Sequence, residues 1–290
     1  MKKLLILLIA TLLLTGCSTA DPSCNIAATT LPVYEFSLRL CEGTPLRVSR
    51  LVTEQVSCLH DYSLNVQQVK TAQAAEVVVL SGAGLEEFME DILVGVHSID
   101  ASTGIDLICP ESEHEHGHEH ENHHHESDPH IWLSPVCAKI MVQNICNGLS
   151  ARYPEYTDTF QKNLMALHQE LDELLTFGKT ALSQLSCTEL ITFHDGFSYF
   201  AQAFDLSILE AVEEESGSEA SAKELIHLIE EVTHHQLPAV FTERSGSDSA
   251  ASIISKETGC RIFTLDMAMA GDSYFEAMYH NIHTVKEALQ

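Results

Sequence analysis

The chain has 290 residues, 45% of them hydrophobic, and a formal charge of −27 from 42 acidic and 15 basic side chains. The length allows one large domain or two ordinary ones, and the apolar content excludes a disordered chain. The charge repels nucleic acid and anionic lipid and concentrates cations, so nucleic-acid binding is excluded as a role.

Residues 1–16 read as a secretory signal. Met1-Lys2-Lys3 is followed by an apolar run from Leu4 to Leu14 that is too short for a stable membrane span. Leu14-Thr15-Gly16-Cys17 resembles a bacterial lipobox, which would make Cys17 the lipid-modified first residue and residues 17–23 a polar tether. No later apolar run reaches about 18 residues. The expectation is therefore an exported protein, anchored by lipid on the periplasmic or cell-surface side of a membrane. Eight further cysteines in an exported chain point to disulfides. No C-x-x-C pair occurs, which argues against a cysteine zinc site or a thioredoxin-type centre, and the pairing stays open.

The residues after the tether alternate between strands and helices. Residues 24–31 read as a strand, Val33–Leu40 as a helix, Leu46–Val52 as a strand and Val66–Ala75 as a helix. Glu76–Leu80 is a buried strand, Ser81-Gly-Ala-Gly a turn, Leu85–Val94 a helix and Ser98–Ala101 a strand. Such βα units predict a parallel sheet. A polar loop from Thr103 to Pro129 interrupts the pattern before a helix over Ser134–Arg152. Apolar residues from Tyr156 to Leu175 then recur at steps of three and four, predicting one amphipathic helix of about 30 residues and about 45 Å. Gly178 marks a fray or bend in it. A second βα series has strands at 190–193, 206–212, 239–242 and 261–265, with helices at 197–204, 222–233, 249–258 and 274–289. The expected fold is α/β. An N-terminal lobe (24–153, with a His-rich loop at 111–127) and a C-terminal lobe (186–290) each hold a parallel sheet. A long rigid helix (154–185) joins them, and a ligand cleft lies at the strand ends between them.

Eight of the seventeen histidines fall within residues 114–130. Neutral imidazole is the commonest ligand for zinc, copper and nickel. His114, His116, His118, His120, His123, His124 and His125 have no apolar residue among them and read as accessory, exposed capture sites. The two His-Glu-x-x-His matches in this run lack the apolar helix face of a metalloprotease. His60, His130 and His194 instead sit where strands or helices meet loops, and Asp266 ends the last strand. Three imidazoles and a carboxylate form a tetrahedral set suited to zinc. His227, His234 and His235 belong to a surface helix, Glu213-Glu214-Glu215 to a solvated loop, and Trp132 to packing beside His130.

Leu59-His-Asp-Tyr62, Ser81-Gly-Ala-Gly-Leu-Glu86, Asp128-Pro-His-Ile-Trp-Leu-Ser-Pro135, Phe193-His-Asp-Gly-Phe-Ser-Tyr-Phe200 and Gly271-Asp-Ser-Tyr274 follow one another in this order. In them the sequence resembles the zinc/manganese (cluster A-I) solute-binding lipoproteins of bacterial ABC metal importers, zinc-uptake type. The resemblance covers nearly the whole mature chain. It implies two α/β lobes on a linking helix and a metal site taking one ligand from each of four loops, by position His60, His130, His194 and Asp266. It also implies a monomer that is no enzyme and delivers Zn²⁺ to a membrane permease. Histidine as the third ligand favours zinc over manganese, and three imidazoles agree with that choice. Cys187 with Cys260 corresponds to a disulfide of the zinc members. The sequence departs from the family at Ser63-Leu64, where Glu-Pro is usual, and at Cys58. The alternatives are a manganese or mixed-metal binder of the same family and a surface adhesin lipoprotein stabilised by its metal. No motif places a general base, which sets a metallohydrolase aside.

Overall fold

The computed structural model describes residues 24–54, 56, 59, 62–109, 127–212 and 220–290. Cys17, Cys58, His60, the seven loop histidines from His114 to His125 and Glu213–Glu215 lie outside the described residues.

The first sheet contains β1 (Ile26–Ala28), β2 (Val48–Arg50), β3 (Val77–Leu80) and β4 (Ser98–Asp100), all parallel in the order β2-β1-β3-β4. The second contains β5 (Glu189–Thr192), β6 (Ser207–Ala211), β7 (Ala239–Glu243) and β8 (Arg261–Leu265), parallel in the order β6-β5-β7-β8. The helices are α1 (Leu31–Leu40), α2 (Val66–Ala74), the short α3 (Glu90–Leu93), α4 (Pro135–Arg152), α5 (Thr157–Leu182), α6 (Ser198–Ala203), α7 (Ala222–His234), α8 (Ser249–Thr258) and α9 (Tyr274–Leu289). The predicted α/β fold of two parallel-sheet lobes and a long connecting helix is present.

Strand alternation distributes the core. Successive strand residues face opposite sides of a sheet. Ile26, Ala28, Val77 and Val79 enter the central core, while Ala27 and Val78 pack beneath α2 with Leu51, Ala72 and Met89. In the second sheet Leu190, Ala239 and Phe241 face the centre, and Ile191 and Val240 pack outward with Leu228, Val232 and Ile254. The central core is continuous from Ile26 through α5 to Leu289, so the two lobes share one apolar interior.

Helix α5 supplies its spine. Phe160, Leu164, Leu167, Leu171, Leu174, Gly178 and Leu182 are its buried residues, at helical steps of three and four. At 26 residues it spans about 39 Å. A separate single turn at Pro154–Tyr156 takes the start of the predicted run. Gly178 does not bend it. A Cβ there would lie 2.2 Å from the Phe204 ring, so the glycine admits an aromatic ring against the helix. The helix expected over 85–94 is also modified: it starts as a turn at Glu87–Met89 and ends at Leu93. Its entry is set by Gly82, Ala83 and Gly84, all at positive φ, and by Glu86. The buried Glu86 carboxylate accepts from Thr29 Oγ1 (2.6 Å), Ser81 N (2.7 Å) and Gly82 N (3.0 Å), and burial pushes its pKa up to about 7.

Among the described residues none of the expected disulfides is formed. Cys24, Cys41, Cys109, Cys137, Cys146, Cys187 and Cys260 are free thiols. Cys187 leads into β5 and Cys260 into β8, and β7 lies between those strands. Among the described residues no helix is long and apolar enough to cross a membrane.

Polar contacts close the seam between the lobes. Fully buried Trp132 donates its indole N–H to the Met267 carbonyl (2.8 Å), and Tyr274 Oη donates to the Trp132 carbonyl (2.8 Å). Ile108 N–H donates to Tyr199 Oη (2.9 Å), and Arg50 donates to the Gly271 carbonyl (2.8 Å). Glu35 on α1 accepts from Ser273 Oγ and Tyr274 N at the start of α9. Removing one partner of a buried hydrogen bond leaves the other unsatisfied, at about 1–3 kcal/mol. Trp132→Phe should therefore destabilise the protein by about 2 kcal/mol through the orphaned Met267 carbonyl and lost packing, measured by urea unfolding followed by circular dichroism. A loss below about 0.5 kcal/mol, the ordinary scale of a surface change, would show that the indole bond does not secure the seam.

Candidate metal centre

The sequence Asp128-Pro129-His130 folds back on itself. Asp128 Oδ1 accepts from the His130 backbone N–H (2.9 Å) and lies 2.8 Å from His130 Nδ1. A carboxylate can only accept, so the ring proton sits on Nδ1 and Nε2 keeps its lone pair. The turn Ile131–Leu133 then buries three apolar side chains, and Ser134 caps α4 by accepting from Cys137 N. His130 is thus held from its carboxylate side and from its chain, and its ring meets the Trp132 ring edge-on at 5.3 Å.

His194 arrives from the other lobe, two residues beyond β5. Its Nδ1 lies 3.8 Å from Oε2 of Glu243, a buried carboxylate at the end of β7. Its Nε2 lies 3.4 Å from His130 Nε2, with the two rings nearly perpendicular at 85°. Gly196 makes this approach possible. A Cβ at that position would stand 2.7 Å from Met267 Cε, 2.8 Å from His194 Cδ2 and 2.9 Å from His130 Nδ1.

The 3.4 Å spacing has a chemical meaning. Two nitrogens each about 2.05 Å from a tetrahedral ion stand about 3.3 Å apart. With His130 Nδ1 directed to Asp128 and Glu243 on the Nδ1 side of His194, the two Nε2 atoms face each other across one small volume. This matches the carboxylate–histidine–metal pattern, in which the outer carboxylate fixes the tautomer and raises ligand basicity.

Asp266 follows β8 directly and is buried. Its Oδ1 accepts from Ala268 N (2.8 Å), and Asn281 brackets its backbone from both sides. Its Oδ2 pairs with Arg244 Nη1 at 3.0 Å. Asp266, Glu243, Arg244 and Met267 line a hollow of about 10 Å³, room for an ion or a water and far too small for an organic solute. The structure therefore brings His130 and His194 into contact and sets Asp266 on a neighbouring wall in partnership with Arg244. Among the described residues no three His, Cys, Asp or Glu side chains converge closely enough to hold an ion. His60 lies outside the described residues.

The remaining sequence assignments fall as follows. His227 pairs with Glu210 (3.1 Å) and His235 with Glu189 (2.9 Å), surface contacts away from the two imidazoles. Trp132 packs and does not form a platform. Glu243 and Arg244 were missed by sequence reasoning. The signal was available for Glu243, which ends β7 as Asp266 follows the end of β8, and strand ends in open α/β sheets converge on the ligand cleft.

Residues 26–288 match the family profile "ZnuA: Zinc-uptake complex component A periplasmic". The zinc-binding lipoprotein AdcA of Streptococcus pneumoniae (strain ATCC BAA-255 / R6) is 32% identical over 99% of this chain and 61% of its own length. The chain thus spans about three fifths of that relative. A putative metal-binding protein of Treponema pallidum (strain Nichols) is 27% identical, over 94% of this chain and 92% of its own. Among solved structures, a crystal structure of ZnuA superposes with a TM-score of 0.78 at 28% identity, over 91% of this chain and 99% of that one. The Zn(II)-bound ZnuA-like domain of S. pneumoniae AdcA superposes with a TM-score of 0.76 at 28% identity, over 92% and 99%. A match over nine tenths of the sequence, with the same two-lobed architecture, establishes that this chain belongs to the ZnuA family of periplasmic zinc-uptake components.

Proposed function

We propose that this protein is an extracytoplasmic zinc receptor. It binds one Zn²⁺ between its lobes through His60, His130, His194 and Asp266 and passes it to the membrane permease of an ABC importer. The observation that carries this reading is the facing pair of Nε2 atoms at 3.4 Å, with Asp128 behind one ring and Glu243 behind the other. Zinc is favoured over manganese because imidazole is the softer ligand and manganese prefers oxygen. The function needs ligand exchange and no bond chemistry, which suits a pair of imidazole donors, one buried and one partly exposed. The lipid on Cys17 keeps the receptor near its permease, and the His-rich loop acts as an accessory capture segment. That loop gathers ions weakly and leaves the tight site to the folded residues.

Competition titration against a chromophoric zinc chelator tests the site. His130→Ala and His194→Ala together should weaken binding by at least about 10³-fold, and Asp128→Ala alone by about 10–100-fold, as outer-shell partners do. Tight binding retained in the double variant would contradict the assignment. Deleting residues 111–126 should lower the zinc stoichiometry to one ion per chain with the tight Kd unchanged. Loss of the tight site on deletion would show instead that the loop supplies ligands.

A further inference from the structure

Arg244 is the cation nearest the proposed zinc carboxylate, and its placement is specific. Its backbone N–H donates to the Leu265 carbonyl (3.0 Å), which fixes its Cα beside β8. Its guanidinium reaches Asp266 Oδ2 at 3.0 Å. The other polar atoms of Asp266 each have a partner within its own lobe. Oδ1 accepts from Ala268 N, and Asn281 accepts from the Asp266 N–H and donates to its carbonyl. Oδ1 is tied to the backbone of its own loop, and Oδ2, the oxygen free of that tie, is the one that the arginine holds. The Asp266 side chain is 9% exposed and the Arg244 side chain 52% exposed, so the carboxylate is fixed while the guanidinium can withdraw into water.

We propose that Arg244 is a built-in counter-ion that zinc must displace from Asp266, an inference that rests on Asp266 being a zinc ligand. Arginine remains charged at any working pH, so the exchange swaps one cation for another and moves no proton. A guanidinium and a divalent ion sharing one carboxylate oxygen would repel each other across a few ångströms. The arginine therefore lowers the equilibrium affinity and is ready to retake the carboxylate as the ion departs. Arg244 is a positioning residue that sets affinity and release rate. A receptor that must surrender its ion to a permease gains from a competitor already in place.

The test uses the full chain with zinc alone as ligand. It measures Kd by competition titration and the dissociation rate by stopped-flow mixing with excess chelator. R244Q should bind zinc about 10-fold tighter and release it correspondingly more slowly, with R244K close to the parent because it keeps the charge. D266A should weaken binding, and adding R244Q to D266A should produce no further gain, the signature of two residues acting on one another. Unchanged or weaker binding by R244Q, with D266A weakened, would overturn the counter-ion role and leave the zinc site standing. A gain from R244Q that persists in the D266A background would also overturn it, since the arginine would then act through the general field. Parental affinity in D266A would remove Asp266 from the site and the counter-ion role with it. Thermal melts of R244Q and R244K separate these outcomes from any loss of fold.

Discussion

The arrangement depends on how Trp132 is buried at the seam of the two lobes. Its indole N–H reaches the Met267 carbonyl of the C-terminal lobe, and its own carbonyl receives the Tyr274 hydroxyl. Met267 follows Asp266, and His130 lies two residues before Trp132. One aromatic side chain therefore ties the backbone that carries one proposed ligand to the backbone that carries another. Because the apolar core passes without a break from β1 through α5 to α9, this seam belongs to the interior of a single folded body. The imidazoles of His130 and His194 are held at a metal-like spacing by the fold itself, so little of the binding free energy is spent on ordering them.

Electrostatics supplies the rest of the selectivity. Asp128 orients the His130 ring and Glu243 lies on the Nδ1 side of His194, with the two Nε2 atoms facing each other. The charge of the whole chain draws cations toward this region. Opposing it locally is the single guanidinium of Arg244 on Asp266. A site built this way attracts a divalent ion strongly at long range and moderates its hold at short range, a balance suited to transport.

Much of this could be read in the sequence. Helix α5 was legible because its buried residues keep the helical step over 26 residues, and the parallel sheets because strands and helices alternate through both lobes. His130 and His194 were legible from their places at element boundaries and from the motifs around them. The misreadings have tertiary causes. Gly178 looked like a bend because the Phe204 ring that requires it arrives from a distant helix. The helix at Leu85 looked longer because nothing local announces that Glu86 turns inward to accept three hydrogen bonds. Cys187 and Cys260, paired only through the family resemblance, stand as free thiols. Arg244 escaped because its importance comes from β7 lying beside β8, whereas Glu243 carried a readable signal at its strand end.

We propose that zinc is held by three imidazoles and one carboxylate, those of His60, His130, His194 and Asp266. X-ray absorption spectroscopy on the protein loaded with one zinc per chain tests it most directly. The account predicts four light-atom ligands at about 2.0 Å with the multiple-scattering pattern of three imidazoles. A sulfur shell at about 2.3 Å, or a first shell dominated by water with fewer than two imidazoles, would contradict it.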